Sequence, residues 1–111
     1  MIYIITDRAT PQQLQEMLEA HHEYVKLAVD VRRRLLAGGG VMHADCESVL
    51  LDDGSDQADL WGVSWFPESR RIRYESLINI RPKQGNRSMA IHDAALRATI
   101  ETIVQERFLR T

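Results

Sequence analysis

Cys46 is the only cysteine in the chain. That excludes a disulfide framework, and it excludes a zinc site built from several thiolates. Long apolar runs are missing too. Nothing approaches the ~20 consecutive apolar residues needed to cross a bilayer. The opening run Met1-Ile2-Tyr3-Ile4-Ile5 turns polar at Thr6-Asp7-Arg8 and has no basic segment before it. It reads as a first strand rather than a secretion signal, so the expectation is a soluble, cytoplasmic protein with no membrane partner. A large charge of one sign is also absent. Fourteen Lys and Arg stand against 16 Asp and Glu, a formal net charge of −2. This is not the global basicity of a general nucleic-acid binder. There is no phosphate-loop, dinucleotide or Gly-x-Ser-x-Gly motif, and no sequence signature of a cofactor.

What is present is an ordinary globular mixture, 44% hydrophobic and 27% charged over 111 residues. That suits one domain, 1–111, with one core. The charges are unevenly placed. Residues 1–60 carry 11 acidic and 5 basic side chains, and residues 61–111 carry 5 acidic and 9 basic. Asp45 to Asp59 holds six carboxylates and no cation, while Arg70 to Arg87 holds six cations and only Glu75. Two such segments either face each other within the fold or help two copies associate; the basic one could also receive an anion.

Periodicity sets the elements. Thr10-Pro11 is an N-cap followed by a first helical residue, and Leu14, Met17, Leu18 and His21 recur at helical spacing, predicting a helix at about 11–22. Val25, Leu27, Val29 and Val31 alternate with polar or small residues and predict a strand. Arg32-Arg33-Arg34 would turn it back into Leu35-Leu36-Ala37. A helix from Leu27 to Leu35 is the rival over 25–37. Gly38-Gly39-Gly40 breaks the chain. Asp45 would cap a short helix, Cys46 to Asp53. Leu60 to Phe66 is a strand with Trp61, Val63 and Trp65 on one face. Arg71 to Arg81 is expected as a longer strand, with Ile72, Tyr74, Ile78 and Ile80 on its apolar side. Arg87 to Ile91 is a candidate short strand. Asp93 caps a last helix to about Leu109. The order β-α-β-β-α-β-β-(β)-α predicts an α+β fold: a mostly antiparallel sheet of five or six strands with helices on one face.

Two segments could carry chemistry. In the first, His43, Asp45 and Glu47, with Asp30 on the preceding strand, offer one imidazole and three carboxylates. They are candidate catalytic groups and candidate ligands of a divalent metal, as in a small metal-dependent hydrolase or nuclease. Extended backbone would put 43, 45 and 47 on one face; a helix would scatter them. Asp45 and Glu47 flank Cys46, which reads as a buried structural thiol. His21-His22 reads as a helix end. In the second segment, Asn79, Arg81, Lys83, Asn86 and Arg87 surround a Pro82–Gly85 turn. Arg81 and Arg87 at a hairpin end could clamp a carboxylate or phosphate. Trp61, Trp65 or Tyr74 could stack on a base, although pairing of these arginines with the acidic segment competes with ligand binding.

The phrases His43-Ala44-Asp45-Cys46-Glu47, Asp59-Leu60-Trp61-Gly62, Leu77-Ile78-Asn79-Ile80-Arg81-Pro82 and Gly85-Asn86-Arg87-Ser88-Met89 together resemble a family of small prokaryotic proteins known as a domain of unknown function. The resemblance covers nearly the whole chain. It implies a stand-alone domain and brings no activity and no catalytic residue with it. Similar sequences carry Gly near Arg34, which suits a hairpin turn; Arg here departs from that pattern and leaves the turn type open. The leading expectation is a binding or interaction module, self-associating as a homodimer and taking a small anionic ligand at the Arg/Asn-rich turn. The alternative is the metal-dependent hydrolase.

Overall fold

A computed structural model describes residues 1–109. Its elements are β1 (Tyr3–Ile5), α1 (Pro11–Met17), β2 (Val25–Asp30), β3 (Leu35–Gly38), α2 (His43–Asp52), β4 (Leu60–Phe66), β5 (Arg71–Arg73) and α3 (Ala94–Arg107), with short 3-10 turns at Gln57–Asp59, Leu77–Asn79 and Pro82–Gln84. The five strands form one antiparallel sheet in the order β1-β3-β2-β4-β5. The fold is α+β. Among the described residues, no helix is long and apolar enough to cross a membrane.

Local signals set several boundaries. The Thr10 hydroxyl accepts from the Gln13 amide at 3.1 Å, and the Gln13 side chain accepts from the Thr10 amide at 2.9 Å. This capping box starts α1 with Pro11 in its first turn. α1 ends at Met17, well before residue 22. The Leu18 carbonyl gathers the His21 and His22 amides, and His22 takes a left-handed φ of 64°. That reversal lets the His21 ring stack on Tyr24 at 4.8 Å and launches β2. Over 25–37 the hairpin prevails over the helix. The Asp30 carboxylate accepts from the Arg32 and Arg33 amides, and Arg34 sits at φ 57° with its amide on the Asp30 carbonyl. Glycine adopts that φ without strain, while Arg tolerates it at some cost. At Gly39, φ is 106°, and an added Cβ would lie 2.1 Å from the Met1 carbonyl oxygen. A side chain there would push β1's start away from the break.

The helices cover both faces of the sheet, not one. Val25, Leu27, Val29, Leu36, Trp61, Val63 and Trp65 pack with Leu14 and Met17 of α1 and with Ile100, Ile103, Val104 and Phe108. The opposite face, with Ala28, Leu35, Ala37 and Leu60, packs on Cys46 and Leu50 of α2. On β2 this second face reads Lys26, Ala28, Asp30, which looks like a solvent side. Ala28 is nevertheless fully buried, because its small side chain lets α2 approach.

The 71–81 strand is also corrected. β5 stops at Arg73, Ser76 caps a 3-10 turn, and Leu77 and Ile80 are exposed. The chain leaves the sheet because Asn79 takes over as partner for β4. Its side chain accepts from the Gly62 amide at 2.8 Å and donates to the Gly62 carbonyl at 2.8 Å. One side-chain amide thus replaces a neighbouring strand. Gly62 permits this approach, since an added Cβ would lie 2.7 Å from the Ser76 Cβ. In place of a strand at 87–91 there is a single bridge, Glu75 to Ala90, and a second bridge, Arg81 to Asn86, closes the turn before it. α3 starts as expected: the Asp93 carboxylate accepts from the Ala95 and Leu96 amides.

The acidic segment finds its cations mainly in the hairpin turn. Arg32 lies 2.9 Å from Asp59, and Arg33 lies 2.7 Å from Asp53. From the basic segment only Arg81 reaches across, 3.8 Å from Glu47, among the described residues.

Candidate functional site

Near the N-terminus of α2 the second face of the sheet is left open. Pairing places Lys26 of β2 opposite Ser64 of β4, and Ser64 opposite Arg73 of β5. These three side chains form one cross-strand row. Beside it, Tyr24 stacks on Phe66 at 5.2 Å, and the Arg73 guanidinium lies over the Phe66 ring at 5.4 Å. His43 and Ala44 of α2 form one wall, and Glu75–Ile78 with Met89 form the other. The result is a cleft of about 430 Å³.

The His43 ring nitrogen Nε2 lies 2.9 Å from the Val63 carbonyl and 3.4 Å from the Ser64 hydroxyl. A carbonyl only accepts, so Nε2 carries the proton and Nδ1 is the acceptor of the neutral ring. Burial lowers the His43 pKa to about 4; the Val63 contact opposes this, and the nearby Lys26 charge adds to it. A donor nitrogen cannot take the Ser64 proton, so the contact is not a nucleophile–base pair. Lys26, Arg73 and Glu75 have no ion-pair partner within 4.0 Å among the described residues.

The sequence candidates do not converge. Asp30 is buried, holding the hairpin amides and the Ser55 hydroxyl at 2.6 Å. Asp45 is the third residue of α2, not its cap, and accepts from the Met42 amide at 3.0 Å. Glu47 faces Arg81. Residues 43, 45 and 47 lie on a helix, where a step of two turns Asp45 about 200° away from His43 and Glu47, which share a face four residues apart. Among the described residues no group of three or more His, Cys, Asp or Glu is placed to hold a metal. Cys46 is buried with its pKa raised to about 11, chiefly by burial.

In the second segment Asn79 and Asn86 are buried. The Asn86 side-chain Nδ2 donates to the Asn79, Ser88 and Ala90 carbonyls, and its Oδ1 accepts from the His92 backbone amide, stitching the loop shut. Arg81 is turned inward. Lys83 and Arg87 are exposed. Ser88 Oγ lies 2.7 Å from His92 Nε2 at the surface, but the neighbouring Asp93 carboxylate is occupied in capping α3.

Lys26, Ser64, Arg73, Tyr24 and Glu75 were not legible as a site. Lys26 and Arg73 lie on separate strands far apart in sequence, and only the register through β4 makes them neighbours. A family model described as "Protein of unknown function (DUF5674)" matches residues 3–107. The chain belongs to that family. No curated protein and no solved structure matches it.

The burial of His43 makes stability depend on pH. A histidine whose folded pKa lies below its unfolded value stabilises the fold above about pH 6.5, and that stability is lost as the pH falls towards about 4. The expected loss is on the order of 2 kcal/mol, less than the full shift because the ring is partly hydrated. Thermal melts between pH 7 and 4 check this. His43→Gln, which keeps a donor to Val63, should flatten that part of the profile. An unchanged profile would place the titration elsewhere.

Proposed function

We propose that this chain is a binding module and that the cleft between α2, β5 and the 75–89 loop receives its ligand. The observation that carries this reading is the Lys26–Ser64–Arg73 row, whose two cations have no ion-pair partner among the described residues. Asp30, Asp45, Glu47, Asn79, Arg81 and Asn86 are instead taken up by contacts within the protein. A volume of about 430 Å³ falls within the size range of small-molecule sites. Two-dimensional amide NMR with a mixed fragment set tests the reading. Shifts should cluster at Tyr24–Lys26, His43–Ala44, Ser64 and Arg73–Ile78, and Ala44→Trp should abolish them by filling the cleft. Shifts scattered over the surface, or unaffected by Ala44→Trp, would overturn it.

Self-association is the second reading. Val41, Met42, Leu77 and Met89 are all exposed large apolar side chains, and the last three line the cleft. Sedimentation of the wild type and Leu77→Glu separates the two readings. A dimer lost on that substitution supports self-association, and a monomer at all concentrations removes it.

A further inference from the structure

We infer that the ligand of this cleft is a small amphipathic oxyanion, a carboxylate or phosphate on a short apolar chain. The inference rests on the cleft being the binding site. It comes from how charge and apolar surface are distributed within it.

Neighbouring strands lie about 4.8 Å apart, so the backbones of Lys26 and Arg73 are separated by roughly 10 Å across Ser64. Both side chains are long enough to lean towards the middle of the row. An oxyanion above Ser64 would therefore be reached from both sides. Lysine supplies a compact charge and arginine a planar fork, and charge-assisted bonds of this kind are the strong ones. Ser64 adds a hydroxyl at the centre, though it is nearly buried. Arg73 is steadied by its position over the Phe66 ring, so less of its freedom remains to be lost on binding.

One carboxylate, Glu75, also lines the cleft. It follows Arg73 by two residues, and with the two cations it leaves a net charge of +1. A ligand with one anionic head is therefore favoured, and a second anionic group placed near Glu75 is opposed. Met42, Leu77, Ile78 and Met89 supply the apolar part of the lining. Leu77 is 67% exposed and Met42 is 53% exposed, an unusual amount of bare apolar surface beside two cations. Covering it with an apolar chain removes that surface from water, and methionine side chains adapt to chains of different shape.

The test uses four six-carbon probes on the full chain at low salt: hexanoate, hexyl phosphate, hexylamine and hexanol. Amide shifts and calorimetry provide the readout. Hexanoate or hexyl phosphate should bind in the cleft, and the stronger of the two identifies the head group. Hexylamine should not bind. Lys26→Gln and Arg73→Gln should each weaken anion binding about tenfold while preserving the amide spectrum of the fold. Raising the salt should weaken it further. Hexylamine or hexanol binding the cleft as tightly as the anions would overturn the ligand class and leave the cleft reading standing. Shifts outside the cleft with every probe, or none with any, would overturn both.

Discussion

Replacing Arg81 with methionine is expected to destabilise the fold by about 3–5 kcal/mol, the range for breaking a buried ion pair on one side. The Arg81 side chain is only 9% exposed and that of Glu47 13%. The guanidinium donates to the Ile78 carbonyl at 2.9 Å, to the Gln57 carbonyl at 2.7 Å and to the Leu60 carbonyl, and it lies over the Trp61 ring at 4.7 Å. It ties the 3-10 turn before β4 to the 77–86 loop. Glu47 Oε2 is buried without a hydrogen-bond partner, so the Arg81 charge 3.8 Å away is its compensation. Methionine keeps much of the apolar stem but strands that carboxylate and the carbonyls. Adding Glu47→Gln to Arg81→Met should therefore recover part of the loss, so that the double variant is more stable than the sum of the single changes predicts. Urea unfolding near pH 7 measures all three. A cost below about 1 kcal/mol for Arg81→Met, the size of a surface pair, would restore Arg81 as a candidate for ligand binding.

Asn79→Leu should be comparably damaging, at about 3 kcal/mol or more, since each buried backbone group left unpaired costs about 1–3 kcal/mol. Leucine has nearly the same shape but cannot serve the Gly62 amide, the Gly62 carbonyl or the Met89 carbonyl, the last of which Asn79 reaches at 3.1 Å. Asn79→Asp should be no milder, because a carboxylate would face two carbonyls. Hydrogen exchange at the Gly62 amide should accelerate in both variants along with the fall in urea midpoint. A variant with wild-type stability and a protected Gly62 amide would show that β4 does not depend on this side chain.

Both residues had read as ligand contacts in the sequence, and the reason is instructive. Polar side chains clustered at a turn look the same whether they face a ligand or close a loop over a sheet. Asn79 bonds to a residue 17 positions earlier, and Arg81 to carbonyls as far as 24 positions away. Nothing within the 79–88 segment records those partners. The alternation of Ile72, Tyr74, Ile78 and Ile80 had a similar limit. It is compatible with a strand, but Gly62 admits Ser76 and Ile78 so closely over β4 that the chain turns across the sheet instead.

What the amino-acid order determined by itself were the features decided within a few residues. Thr10-Pro11 and Asp93 start helices through bonds to amides two or three positions on. Asp30 shapes the hairpin turn through the Arg32 and Arg33 amides. Trp61, Val63 and Trp65 declare a buried face by alternation. The tertiary structure alone decided which candidates meet. Helical backbone at His43–Asp52 turns Asp45 away from His43 and Glu47, breaking up the row that an extended segment would have aligned. Conversely, Lys26, Ser64 and Arg73 become neighbours only because β2 and β5 both pair with β4. Short-range bonding leaves a trace in adjacent residues; strand register is settled by packing across the whole sheet, and the candidate site depends on that register.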